Sequence, residues 1–172
     1  MTLRRLLAML AAAAVLVTGA LLWAGAAEGK PSTQTAHAKS EKLGPVGYRK
    51  LRLGMSRAQV KRTHQATVGK REGTCSVVRL RAHRATGFLS ARHGLVAIFA
   101  AGPMHTPKGI RLGATRAQVR HAYPHLKDGP NGSYITVRGN RKAQYLFLFQ
   151  GAGPRARLYE LGLAGKNQDC FD

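Results

Sequence analysis

The chain has 172 residues, with 28 lysines and arginines against 7 aspartates and glutamates, a formal net charge of +21. That length allows one compact domain or two small units sharing a core, and no more. The charge favours contact with anionic surfaces and opposes self-association, but it names no ligand.

Residues 1–26 read as a secretory signal peptide. Arg4 and Arg5 form a positive start, Leu6 to Trp23 is an apolar run broken only by Thr18 and Gly19, and Ala24-Gly25-Ala26 offers small residues for cleavage. Ala36-His37-Ala38 is a second such site. Cleavage is therefore expected after Ala26 or Ala38, with an uncleaved anchor as the alternative and the only membrane contact expected. The expected location is secreted and extracellular. Residues 27–47, small, polar and rich in Gly, Pro, Ser and Thr, read as a flexible linker.

The folded part says one thing twice. Residues 51–60 read LRLGMSRAQV and residues 110–119 read IRLGATRAQV, with seven of ten positions identical at a spacing of 59. Such a match argues for two copies of one small unit, a first repeat unit over residues 48–105 and a second over 106–172. In the first, Lys50 to Leu53 is extended and Gly54 breaks it. Ser56 and Gln59 then fit a capping box, and a helix is expected over about Arg57 to Gln65. Thr115 and Gln118 repeat that box, and the second helix should stop before Pro124.

After each helix the pattern alternates as in strands. Cys75 to Ala82, Phe88 to Arg92 and Leu95 to Ala101 are expected in the first unit, and Ser133 to Arg138, Lys142 to Gln150 and Arg157 to Ala164 in the second. The expected fold class is α+β: two tandem helix-plus-three-strand units forming one antiparallel sheet of about six strands, with the helices on one face. Cys75 and Cys170, an even count in an exported chain, are expected to form a disulfide.

The stretches from Leu53 to Val60 and from Leu112 to Val119 resemble the helix-opening motif of the SmpA/OmlA (BamE-like) domain family. The tandem, exported arrangement is similar to the secreted β-lactamase inhibitory proteins of actinomycetes. The resemblance implies one continuous curved sheet whose concave side grips a partner protein, with no catalysis. It covers about ten residues per unit in sequence. That family has a disulfide inside each unit, whereas these two cysteines fall in different units, so no inhibitory residue is carried over.

Catalytic sets are not legible. The carboxylates Glu41, Glu72, Asp128, Glu160, Asp169 and Asp172 form no close pair for acid–base work. His121 and His125 are separated by Pro124 and lack a third ligand. The expectation is no enzyme, no metal and no small-molecule cofactor. Strand alternation instead points to a binding face built from Arg79, Arg81, Tyr134, Arg138, Tyr145 and Arg157, the Arg and Tyr mixture of protein-binding hot spots. Tyr145, Phe147 and Phe149 share one parity and Leu146 and Leu148 the other, and either set can be core. Arg57, Lys61, Arg62, Arg116 and Arg120 read as a solvated helix face or as a stripe for a polyanion. The functional expectation is an exported scaffold that engages an extracellular or envelope protein, or an anionic polymer, through an open sheet face. The alternatives are an electrostatic binder of cell-wall polymer or nucleic acid, and a β-lactamase inhibitor.

Overall fold

A computed structural model describes residues 41–171. The expected signal peptide and most of the expected linker lie outside the described residues. Among those residues no helix is long and apolar enough to cross a membrane.

The described chain begins with a two-stranded ribbon, β1 (Gly47–Tyr48) and β2 (Leu51–Arg52), and continues into α1 (Arg57–Arg62). Four strands follow: β3 (Ala66–Glu72), β4 (Cys75–Leu80), β5 (Thr86–Ser90) and β6 (Gly94–Phe99). Then come α2 (Arg116–Ala122) and β7 (Lys127–Gly129), β8 (Gly132–Val137), β9 (Asn140–Gln150) and β10 (Arg157–Gly165). Strands β3 to β10 form one antiparallel sheet in the order β3-β4-β5-β6-β10-β9-β8-β7. Each run of four follows the chain through short turns, and the two runs meet at β6 and β10.

This corrects the expected fold class. The protein is mostly β, 47% strand and 10% helix, with eight strands in the main sheet rather than about six. The helices do not form a layer over it. Each has at most seven residues and buries one of them, Val60 or Val119. The buried side of the sheet is closed mainly by ribbon and loop residues, including Leu43, Tyr48, Leu51, Met104 and Ile110, which belong to one cluster with Val78, Leu95, Ile98, Phe147, Leu161 and Leu163. The two strands missed, β3 and β7, are polar edges. Gly69 and the Lys70-Arg71-Glu72 run break any alternation in β3, and β7 is three residues long. Charge on an edge strand discourages pairing with another chain, and it also erases the pattern by which a strand is recognised.

The repeated motif has a structural meaning. Both capping boxes are formed: Ser56 N donates to Gln59 Oε1 at 2.7 Å and Gln59 N to Ser56 Oγ at 3.3 Å. Thr115 N donates to Gln118 Oε1 at 2.8 Å and Gln118 N to Thr115 Oγ1 at 3.1 Å. Gly54 and Gly113 both adopt φ +83°, where a side chain is strained. That backbone lets each loop dock on a strand of its own half by the same reciprocal pair. Gly54 N donates to Leu95 O and Leu95 N to Met55 O; Gly113 N donates to Leu158 O and Leu158 N to Ala114 O, all within 2.8–2.9 Å.

Cys75 and Cys170 are joined in a disulfide with Cα atoms 5.7 Å apart. It ties the C-terminal tail to β4. Closing a loop of about a hundred residues stabilises by roughly 4–5 kcal/mol in the chain-entropy account.

Candidate binding face

Side chains alternate across a strand, so ladder partners define the two faces of the sheet. The face opposite the core carries one row that crosses every strand: Thr67, Arg79, Thr86, Phe99, Gly162, Leu146, Tyr134 and Lys127. Phe88, Leu148 and Glu160 lie in adjacent rows of the same face. Phe88, Phe99, Leu146, Leu148 and Tyr134 are half-buried, neither packed away nor fully solvated. Gly162 is a packing requirement: a Cβ there would stand 3.0 Å from Phe99, whose ring lies over β10.

The face differs along its length. Over β5 and β6 the rings of Phe88, Phe99 and Phe171 form a triad with centroids 5.6–5.9 Å apart. Phe171 reaches that position because Cys170 is bonded to Cys75 and because Gln168 Oε1 accepts the amides of Cys170 and Phe171 at 2.9 and 3.0 Å. Beyond Phe171 the face stays open. A cavity of about 210 Å³ there is lined by Phe99, Tyr134, Gln144, Leu146, Leu148 and Glu160, among others. The Glu160 side chain has no hydrogen-bond or ion-pair partner among the described residues, and burial pushes its carboxyl above the usual range. A separate depression, bordered by the exposed ring of Tyr159, Arg116, Asp128, Phe149 and the Gly129–Gly132 turn, takes side chains from both sides of the sheet.

The sequence-derived face is only partly gathered by this geometry. Arg79 and Tyr134 share the row, separated by five inter-strand steps of about 4.8 Å, roughly 24 Å in all. Arg81 is exposed just beyond β4, and Arg138 is exposed in the turn between β8 and β9. Arg157 donates through Nη1 to Gly113 O at 3.0 Å, so it braces the second docking loop. Tyr145 is corrected to core. It is 2% exposed on the opposite side of the sheet, its hydroxyl donates to Leu43 O at 2.7 Å, and its ring packs against Tyr123 and Phe147. The partner that its hydroxyl requires lies inside the fold.

Sequence reasoning missed Phe88, Phe99, Leu146, Leu148, Glu160 and Phe171 as face residues. A bulge between Leu158 and Glu160 shifts the alternation in β10 and hides the side on which Glu160 lies. Phe171 carried one signal, its place beside Cys170.

Two of the helix bases are corrected as well, while Lys61, Arg62 and Arg120 are exposed as expected. Arg57 and Arg116 are half-buried rather than solvated. Arg57 donates to Gly69 O at 3.0 Å and Ser76 Oγ at 2.5 Å, and Arg116 lies over the Phe149 ring at 4.4 Å. The cluster of Cys75, Asp169 and Cys170 brings three potential metal donors together, but the disulfide consumes both thiols. Comparison with protein-family models, with curated proteins and with solved structures finds no match to this chain.

Proposed function

We propose that the chain is an exported, non-enzymatic scaffold that binds an extracellular or envelope protein through its open sheet face. The observation that carries this reading is the row from Arg79 to Lys127 with its half-buried aromatic and aliphatic side chains. Flat rings and leucines with arginine at the margin supply the desolvated centre and polar rim of a protein interface. Glu160 adds an acceptor inside an apolar depression, suited to a donor side chain from a partner. The Cys75–Cys170 disulfide is compatible with an oxidising compartment, where export would deliver the chain. The helix-opening motif resembles that of a family whose secreted tandem members grip proteins on such a sheet.

The charge of +21 favours a second reading, electrostatic binding of cell-wall polymer or nucleic acid. Immobilised protein incubated with culture fluid and with the wall fraction of the producing organism, then washed at two salt concentrations, separates the two. A protein partner seated on apolar side chains survives the higher salt. A polyanion leaves steeply with salt, because its binding rests on counterion release. Retention of polymer alone would overturn the protein-binding reading. A nitrocefin assay at micromolar protein tests the narrower possibility of β-lactamase inhibition, which an unchanged hydrolysis rate would eliminate.

A further inference from the structure

The two halves carry the same four-part constellation with one charge inverted. In the second half Arg116 and Arg120 stand one turn apart on α2, and Asp128 of β7 faces Ser133 of β8. Ser133 Oγ donates to Asp128 Oδ1 at 2.6 Å, Arg120 Nη2 donates to Oδ2 at 2.5 Å, and Arg116 Nη1 lies 3.6 Å from Oδ1. The carboxylate is held below its usual range, first by the Ser133 hydrogen bond; burial opposes this, and Arg120 and then Arg116 add to the lowering.

In the first half Arg57 and Lys61 take the same two places on α1, and Arg71 of β3 faces Ser76 of β4. The hairpins fix the equivalence. Glu72–Cys75 and Gly129–Gly132 are the last ladder pairs, each closing a two-residue turn, and Arg71–Ser76 and Asp128–Ser133 are the pairs just before them. An arginine therefore stands where the other half has its carboxylate.

The remaining groups are donors with no carboxylate among them. Arg57 contacts two neutral oxygens, Gly69 O and Ser76 Oγ. Ser76 is 3% exposed; its oxygen accepts from Arg57, and its own proton has no acceptor among the described residues. The side chains of Lys61 and Arg71 have no hydrogen-bond or ion-pair partner among the described residues. Glu72, the only carboxylate of residues 48–105, faces Cys75 and so belongs to the other side of the sheet. Two guanidinium groups, an ammonium and a buried hydroxyl are the donor types that a carboxylate or phosphate group accepts from.

We infer that Arg57, Lys61, Arg71 and Ser76 form a seat for an oxyanion supplied from outside the chain, at the place where the second half uses its own Asp128. The seat lies on the side of the sheet opposite the open face, and it stands whether or not that face binds a protein.

The probes are sodium acetate and sodium phosphate, added at constant ionic strength and followed through the Arg57 side-chain and Ser76 amide resonances. The wild-type protein should show saturable shifts at both residues, and the stronger of the two probes tells carboxylate from phosphate. Arg71→Asp, which recreates the arrangement of the second half, should weaken that binding at least tenfold and raise the melting temperature without added anion. Arg141→Asp removes the same charge from an exposed position of β9 and should leave binding at Ser76 unchanged. Asp128→Ser should open a second site, with matching shifts at Ser133 and Arg116. Absence of saturation with both probes, or equal loss in Arg71→Asp and Arg141→Asp, would overturn the inference, because diffuse attraction to a basic protein would then suffice.

Discussion

The two halves share a framework and differ in what they present. Each opens with a glycine at φ +83°, a reciprocal cap, a one-residue helix anchor and the same docking hydrogen bonds. Their charges differ: residues 48–105 carry 12 basic and 1 acidic side chains, and residues 106–172 carry 11 and 4. Their exposed sheet surfaces differ too, since Phe171 covers Phe88 and Phe99 in the first half while the cavity around Glu160 stays open in the second. Positions that specify the fold are duplicated, and positions that would meet another molecule are not.

The largest test of that contrast is the disulfide. Replacing Cys75 and Cys170 together by serine should lower stability by roughly 4–5 kcal/mol in denaturant titration, less any strain relieved. It should also free Phe171 and raise binding of a hydrophobic dye over β5 and β6. Unchanged dye binding would mean that the tail stays in place without its tether.

Val60→Ala and Val119→Ala remove the single buried anchor of each helix, both 0% exposed. Each should cost about 2 kcal/mol, two methyl groups and a partly collapsed cavity. Near-equal losses are expected if the halves are built alike, and a large inequality would break the comparison at the framework.

Ser56→Ala and Thr115→Ala each remove an N-cap, with an expected cost of about 1 kcal/mol. Parallel decreases in thermal midpoint would agree with two equivalent capping boxes.

The smallest effect is in pH dependence. Asp128 has a depressed pKa, so its contribution is fully present above the unfolded value and is lost as pH falls through the folded value, below about pH 4. Hydrogen exchange in β7 and β8 should accelerate on acidification through that range, and Asp128→Asn should remove the dependence. Strands β3 and β4 have Arg71 at the equivalent position and should lack this particular transition. Glu41 titrates in the same direction. Burial opposes its ionisation, but hydrogen bonds from Tyr48, Arg49 and His83 outweigh it, so the ribbon region should loosen in acid too.

Legibility in the sequence followed the strength of each local signal. Capping boxes are short-range chemistry, and Ser56, Gln59, Thr115 and Gln118 announce themselves by spacing alone. Strands β4, β5, β6, β8, β9 and β10 have alternation between turn residues. The edge strands β3 and β7 have none, so the alternation accounts for six strands of the eight, and the covering role expected of the helices falls to the ribbon and loops. The place of Tyr145 is not legible, because parity separates the faces of β9 without saying which face is core, and its hydroxyl partner, Leu43 O, is 102 residues away. Phe99 and Phe171 meet only through tertiary contact, one at a strand end and one in the tail.

The central claim is that the open sheet face is the binding surface, and Leu146→Asp tests it most directly. Leu146 is half-buried at the centre of the crossing row, on the side away from the core. Wild-type and Leu146→Asp proteins, matched for melting temperature, would be immobilised and challenged with the same culture fluid and wall fraction. The account predicts a protein retained by the wild type through a high-salt wash and reduced at least tenfold on the variant. The same protein retained equally by both would contradict it.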